Sequence, residues 1–140
     1  MSITSESNVT IKAPADKVWQ AMTDPALVKQ WFFGTTVTST WKEGEPIVFS
    51  GEWEGKSYED KGIIQAIEPG RLLQYTHFSS RSEQADSPEN YEVVSFELTE
   101  VADDTQLTIK EENLASTDAR DKSLGLWKMA LENLKKLLEQ

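Results

Sequence analysis

The chain has 140 residues, no cysteine and a formal net charge of −10 at pH 7. That length suits one domain, 1–140, able to bury roughly 70% of the surface it exposes unfolded. The missing cysteines exclude disulfides, thiolate metal sites and a cysteine nucleophile, and the acidity works against nucleic acid and anionic membrane surfaces. No apolar run approaches the ~18 residues of a membrane span. MSITSESNVT lacks the basic and apolar regions of a signal peptide, so a cytoplasmic protein without membrane insertion is expected.

Val9 to Lys12 alternates with period two and reads as the first strand. Ala13-Pro14 ends it. Val18, Trp19 and Met22 then mark one face of a short helix. Asp24-Pro25, a cap followed by Pro at the first helical position, starts a second, with Leu27, Val28 and Trp31 at the same spacing and Gly34 closing it. Six strand-like segments follow. Thr35–Trp41 is rich in Thr and Val, and Glu45–Trp53 alternates. Glu54-Gly55 marks a compact hairpin before Lys56–Ile67, in which Gly62 signals a bulge or a close approach. Leu72–Phe78 comes after the Pro69-Gly70 turn. Ser79–Asn90 is polar and without period, so it reads as a surface loop. In Tyr91–Val101, Val94, Phe96 and Leu98 face in, with Ser95 and Glu97 out. Thr105–Asn113 turns Leu107, Ile109 and, by the same parity, Glu111 inward.

The last segment, Asp118–Glu139, is helical. Leu124, Leu126, Trp127, Ala130, Leu131, Leu134, Leu137 and Leu138 fall in one arc at 100° per residue, and only Met129 breaks the pattern. Thr117 is placed to cap the start. So wide a stripe asks for a broad concave partner, which a curved antiparallel sheet supplies. The expected fold is therefore α+β: about seven antiparallel strands, two short helices after the first, and a long C-terminal helix in the concave face.

This order of elements resembles the helix-grip fold of the START-like (SRPBCC) superfamily. Within it the chain is most similar to the C-terminal-domain family of the activator of the heat-shock-protein-90 ATPase, in its single-domain bacterial form. The resemblance is carried by VTIKAPADKVWQAMTDPALVKQWF, WKEGEPIVFSGEWEGKSYEDKGII, EPGRLLQYTHFS, NYEVVSFELTE, TQLTIKEEN and LWKMALENLKKLLE. It implies an apolar cavity between sheet and helix. Members of the superfamily bind lipids, sterols, polyketides and other hydrophobic molecules, and some are cyclases or aromatases. It also implies a chaperone partner, although the co-chaperone that names the family makes much of its contact through a separate N-terminal domain.

Parity and the helix stripe nominate a cavity lining: Phe49, Trp53, Tyr58, Ile64, Leu73, Tyr75, His77, Phe96, Ile109, Glu111, Trp127 and Leu131. The same positions suit an ordinary packed core. Tyr58, Asp60, Tyr75, His77 and Glu111 are the polar groups that would orient a ligand. His77, the only histidine, could act as a general base or donor oriented by Glu111 or Asp60. An Asp60–Glu111 carboxylate pair is a further arrangement. No metal-ligand spacing, phosphate loop, dinucleotide fingerprint or nucleophile motif is present, so no cofactor or metal is expected.

Three functions follow. A binding protein for a small hydrophobic or amphipathic ligand predicts an enclosed cavity. A chaperone-linked module predicts a filled core and an exposed patch. A cyclase- or hydrolase-type enzyme needs His77 or a carboxylate beside open space. Leu72, Phe78 and Met129, outside the stripe, are available for a homodimer contact.

Overall fold

The computed structural model describes residues 3–80 and 84–139. Strand β1 (Ile3–Ile11) opens the chain, and helices α1 (Ala15–Thr23) and α2 (Pro25–Trp31) follow. Then come β2 (Thr36–Ser39), β3 (Pro46–Trp53), β4 (Lys56–Glu68), β5 (Leu72–His77), β6 (Glu92–Val101) and β7 (Asp104–Leu114), and α3 (Thr117–Leu138) ends the fold. The strands form one antiparallel sheet in the order β1-β7-β6-β5-β4-β3-β2. Sequential strands therefore meander from β2 to β7, and β1 adds to the far edge. This is the helix-grip α+β architecture expected from the order of elements.

Two local devices shape the sheet. Glu54 and Gly55 both take positive φ between the paired residues Trp53 and Lys56, the two-residue primed turn that matches strand twist. At Gly62 a Cβ would lie 1.6 Å from the Thr76 carbonyl oxygen, so β4 and β5 approach as closely as only glycine permits. The register irregularity falls just after it, between Ile64 and Ala66, where an extra residue bends the strand.

Sequence and structure differ at several ends. β1 begins at Ile3, well before Val9. Its polar TSESN segment has no burial signal of its own, and pairing with β7 supplies what propensity lacks. Asp24 caps α2 as expected, accepting from the Ala26 N–H at 3.0 Å. The cap of α3 is Ser116, not Thr117: its Oγ accepts from the Ala119 N–H at 3.0 Å. In the 79–90 loop, Pro88–Asn90 forms one turn of 3-10 helix. Residues 81–83 of that loop lie outside the described residues.

The core fills the space between the sheet and the C-terminal half of α3. Trp127, Ala130, Leu131 and Leu134 are buried there, over Ile64, Leu107 and Ile109, with Ile11, Val18 and Val28 closing the side. The Trp31 indole N–H donates to the Ala21 carbonyl at 2.8 Å and ties α2 to α1. The N-terminal half of α3 roofs a gap over the sheet and is tied across it by the Ser123–Glu111 hydrogen bond. Leu126, assigned to the apolar stripe, is 46% exposed, and Met129 is 53% exposed. The stripe is thus satisfied only where the helix closes on the core. Among the described residues no helix is long and apolar enough to cross a membrane.

Candidate functional site

A cavity of about 600 Å³, partly open to solvent rather than enclosed as expected, lies beneath the N-terminal half of α3. Its floor is the inner face of β3 to β7, its roof is Ala119, Ser123, Leu126 and Trp127 of α3, and Phe32, Phe33 and Thr35 close one end. Rings run in continuous contact along and behind one side of the cavity. Phe32 stacks on Trp127 (5.3 Å, 21°), and Trp127 meets Phe96 edge-on (5.5 Å, 84°). Phe96 then contacts Tyr75 (6.2 Å), Tyr75 contacts Phe49 (5.3 Å), and Phe49 contacts His77 (6.1 Å). Such offset and edge contacts hold rings in fixed orientations.

One polar group of residues centres on His77, near the end of β5. Its Nε2 lies 3.3 Å from Asp60 Oδ2 and its Nδ1 lies 3.7 Å from Glu92 Oε2. Glu92 is His77's direct cross-strand partner on β6. Asp60 Oδ1 also accepts from the Ser80 backbone N–H at 2.9 Å and from the Ser80 hydroxyl at 3.2 Å. Burial opposes a charged imidazole, but the Asp60 and Glu92 carboxylates outweigh it and lift the pKa to about 9. For Asp60, burial pushes the pKa up, yet His77 and Ser80 win and hold it below its ordinary value. A pKa lifted to about 9 favours the protonated ring at neutral pH, which suits His77 to donating a hydrogen bond or holding a fixed charge. Its orienting groups are Asp60 and Glu92, not Glu111.

A second polar group lies across the sheet. Tyr75, Val94, Glu111 and Ser5 occupy one cross-strand row over β5, β6, β7 and β1. Glu111 is only 4% exposed. Its Oε1 accepts from the Ser5 hydroxyl at 2.9 Å and from the Ser123 hydroxyl of α3 at 2.5 Å. Tyr75 sits between the two groups. Burial, helped by Glu111 and Glu92, raises its phenol well above the ordinary tyrosine pKa, so it stays neutral. Tyr58 lies over Gly51, where a Cβ would come within 2.9 Å of the phenol oxygen. It shares a 2.5 Å hydrogen bond with Thr35.

Of the nominated lining residues, Phe49, Tyr58, Tyr75, His77, Glu111 and Trp127 face this cavity. Leu73 and Phe96 border a small void of about 20 Å³ beside it. Ile64, Ile109 and Leu131 are closed inside the core. The side chain of Trp53 lies outside what the structure describes. Asp60 and Glu111 belong to different polar groups and form no carboxylate pair. Of the residues considered for a dimer contact, Phe78 stacks on Tyr91 at 5.0 Å, Leu72 is half-buried and Met129 is exposed. Among the described residues no cluster of three or more His, Asp or Glu could hold a metal ion.

Sequence reasoning missed several lining residues. Glu92 was legible, two residues before inward-facing Val94. Phe32 and Phe33 follow Trp31 at the end of α2, and three consecutive rings exceed what one helix face can bury. Leu114 breaks the strand parity because Asn113 takes a positive φ of 63°. Lys122 and Ser123 lie on the part of α3 that roofs the cavity, outside the apolar stripe.

A family model described as Activator of Hsp90 ATPase homolog 1-like protein matches residues 12–139. Among solved structures, the solution structure of ChR145 from Cytophaga hutchinsonii is 42% identical, with a TM-score of 0.83 over 98% of this chain and 94% of that one. CalU16 from Micromonospora echinospora is 26% identical, with a TM-score of 0.71 over 98% and 75%. The solution structure of the Aha1 dimer from Colwellia psychrerythraea is 21% identical, with a TM-score of 0.76 over 98% and 96%, a likeness of fold. A comparison with functionally curated proteins found no match.

Proposed function

The chain belongs to the Activator of Hsp90 ATPase homolog 1-like family, and from that premise we propose that it binds a small amphipathic molecule between the sheet and α3. The observation carrying this reading is the cavity of about 600 Å³. Ligand sites are clefts or cavities of roughly 300–1,000 Å³, and this space, partly open to solvent, falls within that range. Its aromatic wall supplies apolar contact, and its few polar groups supply orientation. Phe49, Tyr58, Tyr75, His77, Glu111 and Trp127 would touch the ligand. Leu73, Phe96, Ile64, Ile109 and Leu131 back that surface and set its shape.

Native mass spectrometry of gently purified protein, followed by thermal shift against a panel of lipophilic compounds, tests the reading. A ligand that binds only the folded protein stabilises it by about 2.7 kcal/mol at a hundredfold excess over its Kd. The expected result is an adduct or a shift that Trp127→Ala abolishes while the fold remains. A clean mass with no shift across the panel would favour the alternative that the family description raises, a chaperone-linked protein-binding role on the outer surface.

A further inference from the structure

The two polar groups of the cavity differ in charge balance, and the difference names the ligand's charge. This inference deepens the ligand-binding reading and rests on it. Around His77 the negative charge of Asp60 and Glu92 faces an imidazolium and the Ser80 donors. Around Glu111 there is no such cation: its partners are the uncharged hydroxyls of Ser5 and Ser123, both on Oε1. Its Oε2 accepts no hydrogen bond from the described residues. It is also not sealed, because no buried side-chain oxygen among those residues lacks a partner. A carboxylate that is 4% exposed overall therefore presents its unused oxygen to the cavity that it lines. The nearest positively charged lining residue along the chain is Lys122, next to Ser123. It is solvent-exposed and makes no ion pair with Glu111. Three carboxylates against one imidazolium and one rim ammonium leave the cavity lining net negative.

We propose that the cavity selects an organic ammonium carried on an aromatic body, the nitrogen donating to Glu111 Oε2 and the rings lying against Tyr75, Phe49 and Trp127. A buried carboxylate with only neutral partners gains most from a cation that arrives with its own N–H donors. The π faces around it favour a cation and repel an anion. A carboxylate-bearing ligand of the same shape would meet Glu111, Glu92 and Asp60 with like charge.

The test uses three ligands of one shape: 2-(1-naphthyl)ethylamine, 2-(1-naphthyl)ethanol and 1-naphthylacetic acid. Each is titrated into the full chain at pH 7 by calorimetry, with amide and indole shifts read by NMR to place the ligand in the cavity. The amine is expected to bind tighter than the acid by about ten- to a hundredfold, the worth of one charge-assisted hydrogen bond. Glu111→Gln should remove most of the amine's preference over the acid. An acid that binds as tightly as the amine, or a preference that survives Glu111→Gln, would overturn the assignment. Binding of the alcohol with no gain for the amine leaves the cavity a ligand site and removes only its charge selectivity. No cavity binding by any of the three overturns both. If Glu111→Gln does not fold, the wild-type ranking decides alone.

Discussion

The pH dependence of stability isolates the His77 cluster, because the chain holds no other histidine. Its imidazole is lifted from 6.5 to about 9 by Asp60 and Glu92. Below the unfolded value both states carry the proton and the stabilisation is fully present. Between 6.5 and about 9 the folded state keeps a proton that the unfolded state has released. In this window stability falls as pH rises, by up to about 1.4 kcal/mol per pH unit. Integrated over the window this amounts to on the order of 3 kcal/mol. The His77 side chain is 23% exposed, so solvent screening does not remove the effect. Urea midpoints measured from pH 6 to 10 for wild type and His77→Gln would read it. The difference between wild type and variant should change across the window and become independent of pH above it. The imidazole Cε1 proton, one resonance in the whole spectrum, should titrate near pH 9. An imidazole titrating at 6.5 or below, or parallel stability profiles for the two proteins, would refute the argument and leave His77 neutral in the cavity.

Two substitutions probe the frame around the site. Gly62→Ala drives a methyl group into the Thr76 carbonyl, 1.6 Å from the ideal Cβ. β4 and β5 must then separate, and the protein should unfold at a far lower temperature or lose dispersed NMR spectra; an unchanged melting temperature would show that the strands can part freely. Leu134 is fully buried under α3. Leu134→Ala should cost about 2–5 kcal/mol in urea unfolding, whereas Met129→Ala on the exposed face should change stability by less than about 0.5 kcal/mol; equal losses would mean the helix sits rotated from its described position.

Much of this protein is determined locally. Period-two alternation put Phe49, Tyr75, His77 and Glu111 on one face of their strands, and the helical stripe turned Trp127 toward them. Asp24-Pro25 and Glu54-Gly55 act through their own backbone geometry, so both were legible without knowing any partner. Periodicity names a face but not what covers it. Tyr75 and Leu73 share a parity, as do Glu111 and Ile109. Yet Tyr75 and Glu111 meet open space, while Leu73 and Ile109 meet packed side chains. What separates them is how far α3 stands from the sheet at each point along its length. That distance depends on sheet curvature, on the Ser5–Glu111–Ser123 bridge, and on the Phe32 ring wedged against Trp127. Each of these joins residues distant in sequence. The same holds for charge: sequence showed a histidine and scattered carboxylates, but only the register of β5 with β6 and the approach of β4 gave His77 two carboxylates and left Glu111 with none but hydroxyl partners. Local pattern sets which way a side chain points, and only the packing of distant elements sets what it finds there.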